Sequence, residues 1–462
     1  MNGLLNFIVS VATTPALLVG LIAMLGLILQ KKPATAVIQG TVKTFAGFLV
    51  LVGGAGILVN SLTPFATMFQ HAFHVTGIVP TNEGVVALAL VKFGTPTALI
   101  MLVGMVVNIL LARFTRFKYI FLTGQAMLYV SCMAAVILVS AGLGDSWITI
   151  LLGGLFEGTM LTVTPALCQP FMRKITGTDN VAMGHTGNIG YAFSGWIGKV
   201  FGNPDPEKST EKLNIPKSLG FLRDSTVSIS LVMAVVYILL VIAAGPHFVE
   251  TKLSSGTNYI IFAIVQAGTF AAGFVVVLQG VRMILAEIVP AFQGIAQKLV
   301  PNSKPALDVP IIFPYAPNAV LIGFFVSFIT GTLSMFAMLA LGTTVIIPGV
   351  VGHFFCGAAA GIYGNSTGGR RGAVLGSFFN GLLISWLPLF IIPALGSFGA
   401  GASATFADTD YLIPGIVVGN IGKLGVGALT TLIVGFTIVV IIFSMVLNAR
   451  DKKKSYNQMG AA

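Results

Sequence analysis

Long apolar stretches, each closed by a few polar, glycine or proline residues, follow one another along almost the whole chain. A bilayer hydrocarbon core about 30 Å thick is crossed by roughly 20 apolar residues in helical form. About eleven such stretches occur, near 14–30, 37–62, 95–112, 119–142, 147–167, 226–246, 257–289, 315–341, 343–362, 373–396 and 424–447. They do not alternate apolar and polar residues as the strands of a membrane barrel would. The pattern predicts an all-α polytopic membrane protein with about eleven transmembrane helices. One long polar stretch, Met172 to Asp224, interrupts it and divides the chain into halves.

The halves resemble each other. Asn82 and Asp308, each in a short polar stretch between apolar segments, lie 226 residues apart. Gly47, Phe48, Gly54 and Pro64 precede Gly273, Phe274, Gly280 and Pro290 by the same offset. With small gaps, Pro96 to Ile100 answers to Pro317 to Leu321, and Leu122-Thr123-Gly124 to Ile347-Pro348-Gly349. The expected organisation is a first helix plus repeat 1 over 14–167, a cytoplasmic linker over 168–225, repeat 2 over 226–396, a last helix over 424–447 and a cytoplasmic tail over 448–462. Arg113, Arg116 and Lys118 lead into the Thr123-Gly124 helix, whereas the equivalent stretch from Ala337 to Val345 carries no charge. The repeats are therefore expected to be inverted. Matching helix-breaking polar residues in such repeats point to a substrate site near the membrane midplane.

Composition agrees, with 56% hydrophobic and only 8% charged residues. The formal charge of +11 does not call for a nucleic-acid partner. With the N-terminus outside and the C-terminus in the cytoplasm, most Lys and Arg, from Lys31-Lys32 to the tail Arg450 and Lys452 to Lys454, fall on the cytoplasmic side. Lys92, Lys252 and Lys423 fall outside. The N-terminus lacks the charged start of a cleavable signal and is expected to stay attached. Cys132, Cys168 and Cys356 have no paired or metal-type spacing and read as packing residues. No nucleotide loop, zinc-protease motif or nucleophile elbow is present, so the chain is read as a transporter subunit that needs no cofactor and is not an enzyme.

The residues that can carry chemistry are few. Asp308 stands among Pro305, Pro310, Pro314 and Pro317, so its backbone is expected to break from regular helix and to present an acceptor to substrate hydroxyls. Asn82 and Glu83 occupy the matching place. Gly184-His185-Thr186-Gly187-Asn188 has the small residues of a re-entrant segment, and His185 with Thr186 suits a hydroxyl-rich ligand. Gln125 and Tyr129 share one helix face at i, i+4 and can hydrogen-bond a sugar-like molecule. Arg282 and Glu287 are expected to form a buried structural pair. The sequon Asn365-Ser366-Thr367 reads as part of a tight turn, Gly364 to Gly372.

Gln279-Gly280-Val281-Arg282-Met283, Ala286-Glu287, Ala291-Phe292 with Gly294-Ile295, and Asp308 followed by Ala316 to Val320 resemble the membrane (EIIC) component of the bacterial phosphoenolpyruvate-dependent phosphotransferase system, in its ascorbate-type (UlaA/SgaT) branch. The resemblance covers nearly the whole chain. It implies a homodimer in the bacterial inner membrane, each protomer built from a V-motif and a core domain that moves like an elevator. It also implies uptake of L-ascorbate or a close analogue, phosphorylated in the cytoplasm by a separate EIIB protein that EIIA recharges. The substrate contacts it implies are Asn82, Glu83, Gln125, Tyr129, His185, Thr186 and Asp308. It further implies His where Gln125 stands, Gln where Tyr129 and Thr186 stand, and a Thr-Tyr pair where Asn82-Glu83 stand, so a related sugar acid or polyol is a second candidate ligand. The alternative function is a secondary permease in which Asp308 and Glu83 bind a proton or Na⁺.

Overall fold

The computed structural model describes residues 15–214, 216–399 and 404–459. Its principal elements are α1 (Pro15–Leu29), α2 (Ala34–Phe73), β1 (Gly77–Pro80), α3 (Asn82–Phe114), β2 (Tyr119–Phe121), α4 (Gly124–Leu138), α5 (Trp147–Thr176), β3 (Ala182–Met183), α6 (Asn188–Phe201), α7 (Ser225–Ala244), α8 (Tyr259–Leu299), β4 (Lys304–Leu307), α9 (Pro317–Ala340), β5 (Val345–Ile346), α10 (Val350–Trp386), β6 (Ala404–Thr405), α11 (Thr409–Gly422) and α12 (Val426–Met459). The chain is a polytopic all-α membrane protein. Among the described residues nine helices are long and apolar enough to cross a bilayer. The stretch predicted near 14–30 is a helix of 15 residues, and the two predicted at 343–362 and 373–396 share α10. That helix breaks at Gly368 and at Gly369, whose φ of +56° is open to glycine at little cost. The chain reverses there: Ser377 donates to the Gly357 carbonyl at 3.3 Å and Asn380 to that of Cys356 at 3.3 Å, so the two legs run side by side.

The glycines repeated between the halves mark a helix crossing. The two longest helices, α2 and α8, pack along each other. A Cβ added at Gly47 would strike Met283, Ile284 and the Gly280 carbonyl, one at Gly54 would strike Val277, and one at Gly280 would strike Leu51 and the Gly47 carbonyl. Small residues let membrane helices approach backbone to backbone, where packing replaces the hydrophobic drive that lipid does not supply. With α1 and α7 these helices make one packed group. The other group holds α3 with α5, and α10 with α6 and α9. Apolar side chains that find no protein partner face outward: on α12, Val439, Ile442, Phe443 and Met445 are all exposed, as lipid contact requires.

Two small parallel sheets tie the halves together. One has the order β5-β1-β6, the other β2-β4-β3, so each takes its central strand from one half of the chain and both outer strands from the other. Gly77 and Ile78 pair with Val345 and Ile346, while Val79 and Pro80 pair with Ala404 and Thr405. Tyr119 to Phe121 pair with Lys304 to Ala306, and Ala182 and Met183 with Ala306 and Leu307. Extended backbone at membrane depth is tolerated only where protein satisfies its polar groups, and these short ladders do so. They also deliver four chain segments to one place, because the residues that follow β1, β3, β4 and β6 all emerge near each other.

Candidate functional site

Where those segments meet lies a cavity of roughly 210 Å³, lined by Asn82, Glu83, Gln125, Tyr129, His185, Thr186 and Asp308 among others. All seven residues singled out in the sequence border this one space. Asn82 and Glu83 form the first turn of α3, which begins well before the apolar stretch at 95–112. Thr81 caps that helix weakly, accepting from Gly84 N at 3.4 Å and donating to Glu83 Oε2 at 3.4 Å. Asn82 Oδ1 accepts from Ala407 N at 2.8 Å, which fixes the α3 start against the segment after β6.

Asp308 leaves β4 in extended conformation and caps the 3₁₀ turn Val309–Tyr315. Its Oδ1 accepts from Val309 N at 2.8 Å and its Oδ2 from Gln125 Nε2 at 2.7 Å, so Gln125 is oriented by the carboxylate across the cavity wall. His185 Nδ1 lies 2.7 Å from the Tyr191 hydroxyl and accepts from Gly187 N at 3.3 Å. A backbone donor at Nδ1 places the neutral ring's proton on Nε2, leaving an N–H for a ligand. Thr186 donates to Asp408 Oδ2 at 2.6 Å. The hydroxyl of Tyr129 is buried without a hydrogen-bond partner among the described residues, as is that of Tyr411. Buried hydroxyls are rarely left so, and two that border one cavity fit a ligand rich in hydroxyl groups.

Sequence reasoning missed three polar members of the lining: Arg282, Asp408 and Tyr411. Arg282, expected in a buried pair with Glu287, is instead exposed and lines the cavity from α8; the side chain of Glu287 lies outside the described residues. Asp408 and Tyr411 belong to a segment that mirrors the Gly184 to Asn188 segment. Asp410 N donates to the Thr186 carbonyl at 2.8 Å, while Asp410 Oδ1 and Thr409 Oγ1 accept from Ile189 N at 2.8 Å and Gly190 N at 3.0 Å. The two segments thus cap each other's helices, α6 and α11. Comparing Gly184 to Asn188 with the second half at a slightly shorter offset would have found Asp408.

The glycines of the His185 segment have a steric reason. A Cβ at Gly184 would collide with the Ala306 carbonyl, and one at Gly190 with Asn380. From the far end, Asp179 anchors the same segment: it accepts from Arg173 Nε at 2.7 Å, Gln169 Nε2 at 2.7 Å and Lys304 Nζ at 2.5 Å. Lys304 opens the strand that ends beside Asp308, so this cluster clamps β3 to β4. Asp179's partial burial works against its charge, but the hydrogen bonds from Arg173, Lys304 and Gln169 outweigh it and hold its carboxyl below the usual range.

The donor atoms of His185, Cys356 and Asp408 lie within 4.8 Å of one another, a spacing a metal could use. Each already has a protein partner: Tyr191 engages both His185 and Cys356, and Thr186 engages Asp408. The lining is better suited to an organic polyhydroxyl ligand than to an ion.

Residues 10–410 match the family model of the EIIC-GAT, PTS system sugar-specific permease component. A relative from Mycoplasma pneumoniae, an ascorbate-specific PTS system EIIC component, is 25% identical over 413 residues, which cover 78% of this chain. The match spans 62% of that relative's length. A helical membrane scaffold, a polar cavity within it and a family match over most of the chain agree, and the chain belongs to the EIIC-GAT family of sugar-specific permease components of the phosphotransferase system.

Proposed function

We propose that this permease binds L-ascorbate, or a closely related sugar acid or polyol, in the cavity between β1, β3, β4 and β6 and moves it across the bacterial inner membrane. The observation that carries the reading is the convergence of Asn82, Glu83, Gln125, Tyr129, His185, Thr186 and Asp308 on one cavity. A ligand with several hydroxyl groups would donate to Asp308 and Glu83 and accept from His185 Nε2 and the two tyrosine hydroxyls. The ascorbate relative favours that ligand, while the side chains implied by the ascorbate branch but replaced here keep other sugar acids and polyols in the set to be tested.

In this reading the protein works as a homodimer with its N-terminus outside and its C-terminus in the cytoplasm. The two halves, 14–167 and 226–396, are inverted repeats joined by a cytoplasmic linker over 168–225, with a last helix over 424–447 and a tail over 448–462. The α2 and α8 pair serves as scaffold, and the sheet-linked helices carry the cavity in an elevator movement. Arg282, Phe274 and Leu278 border the cavity from α8, whereas the remaining polar lining comes from the sheet-linked group, so such a movement would pass through this boundary. Phosphorylation of the delivered ligand belongs to a separate EIIB protein recharged by EIIA. The test is uptake in proteoliposomes. Ligand should accumulate as its phosphate only when phospho-EIIB is supplied inside. Accumulation of unmodified ligand under a proton or sodium gradient alone would replace this reading by that of a secondary permease.

A further inference from the structure

We infer that the cavity accepts an acidic ligand only together with a proton, and that Glu83 is the group that takes that proton. The inference rests on reading the cavity as the substrate site. Three carboxyl groups border the one space: Glu83 at the start of α3, Asp308 after β4 and Asp408 before α11. Against them stand the Arg282 guanidinium, the one Lys or Arg in the lining among the described residues, and the imidazole of His185. Tyr129 and Tyr411 complete the titratable lining, while Asp410 lies behind it, bonded to Ile189 N. A monoanion entering here adds a further negative charge to a lining in which acids outnumber the fixed cation, in surroundings that screen charge poorly. Neutralising one acid offsets the charge the ligand brings and returns the site to the balance it had before the ligand entered.

Hydrogen bonding decides which acid. Asp308 accepts two short bonds, from Val309 N and Gln125 Nε2 at 2.8 and 2.7 Å, and Asp408 accepts one at 2.6 Å from Thr186. Each of these carboxylates thus has at least one short donor aimed at its oxygens, the arrangement that supports a negative charge. Glu83 has the Thr81 hydroxyl at 3.4 Å, the long limit for such a bond. The N-terminal turn of α3 favours a negative charge there, but with only the long Thr81 bond from a neighbouring side chain among the described residues, the anion of Glu83 is the least supported of the three. Protonated, Glu83 also becomes a donor, and an acid or enediol ligand offers oxygens to receive it. A neutral polyol brings no charge and needs no proton, so its binding is indifferent to the state of Glu83 over the same range.

The experiment is equilibrium binding to the full-length protein in lipid nanodiscs, with L-ascorbate and with an uncharged hexitol, from about pH 6 to about pH 8.5, where ascorbate stays a monoanion. With one proton taken up, ascorbate affinity falls by about tenfold per pH unit in the upper part of the window. Hexitol affinity stays flat. Glu83→Gln, which carries no charge at any pH, removes the slope and raises ascorbate affinity at the alkaline end. Asp308→Asn lowers affinity but keeps the slope. A flat ascorbate profile in the unmodified protein, or a slope that survives Glu83→Gln, overturns the inference and leaves the substrate-site reading standing. Hexitol binding without ascorbate binding at any pH overturns both the proton-linked entry and ascorbate as ligand. Binding of neither compound overturns the substrate-site reading itself.

Discussion

Asp308→Asn separates what the carboxylate does for the protein from what it does for a ligand. Asparagine keeps the size but replaces one acceptor oxygen by an NH₂ donor. Its remaining oxygen can still accept from Val309 N, now at 2.8 Å from Oδ1. Gln125, 2.7 Å from Oδ2, would then meet a donor and must turn its amide to present Oε1. Both bonds survive, without charge. Bonds to charged groups contribute about 1.5–3 kcal/mol and neutral ones about 0.5–1.5, so the protein loses about 1 kcal/mol and its melting profile moves little. A ligand hydroxyl that donates to the same carboxylate loses its acceptor outright where the amide turns its NH₂ inward. That costs about 1.5–3 kcal/mol, or roughly ten- to a hundredfold in Kd. The assay is titration of the purified variant with L-ascorbate beside a melting curve. Gln125→Ala combined with Asp308→Asn should fall short of additivity, since the two side chains share a bond. A folded Asp308→Asn protein that keeps wild-type affinity would reduce Asp308 to a structural cap of the Val309–Tyr315 turn.

Further outcomes follow from other parts of the structure. In a background lacking Cys132, Cys168 and Cys356, cysteines at the exposed positions Arg113 and Lys208 should react only with reagents that reach the cytoplasm, and one at Lys252 should react from outside in intact cells; the reverse pattern would invert the topology. Asp179's folded pKa is depressed, so its contribution is present above the unfolded value and is lost as pH falls through the acid range; with its side chain 44% exposed, Asp179→Asn should cost about 0.5–1 kcal/mol at pH 7, and the gap to wild type should close as unfolding is followed below about pH 4. Gly280→Val should drive a side chain into Leu51 and the Gly47 carbonyl where α2 and α8 cross, destabilising by about 1–3 kcal/mol or more and lowering the yield of folded protein, whereas Gly268→Ala, with open space around it, should melt like wild type.

What could be read from the chain follows from how each feature is encoded. Spans were legible because lipid demands about 20 apolar residues whatever the packing, yet the α10 reversal at Gly368 and Gly369 and the early start of α3 at Asn82 depend on backbone geometry that hydropathy does not register. The glycines of the repeated pattern were visible as a repeat, and their meaning, the crossing of α2 with α8, appears only when the helices are placed together. The seven candidate residues were found because each breaks an apolar context. Arg282 breaks one too, but a charge five residues from an acid on one helix suggests a local pair, and nothing in that spacing says the helix faces a cavity. Asp408 escaped for a different reason. Strands β3 and β6 are two residues each, far below any periodicity signal, and it is their pairing with β4 and β1 across the halves that sets Asp408 against Thr186. Each half of the chain therefore completes the lining that the other begins, and a search that follows one half to its end recovers only the residues that half contributes. Asp408 comes into view when a slightly shorter offset is followed through the short polar segments between spans.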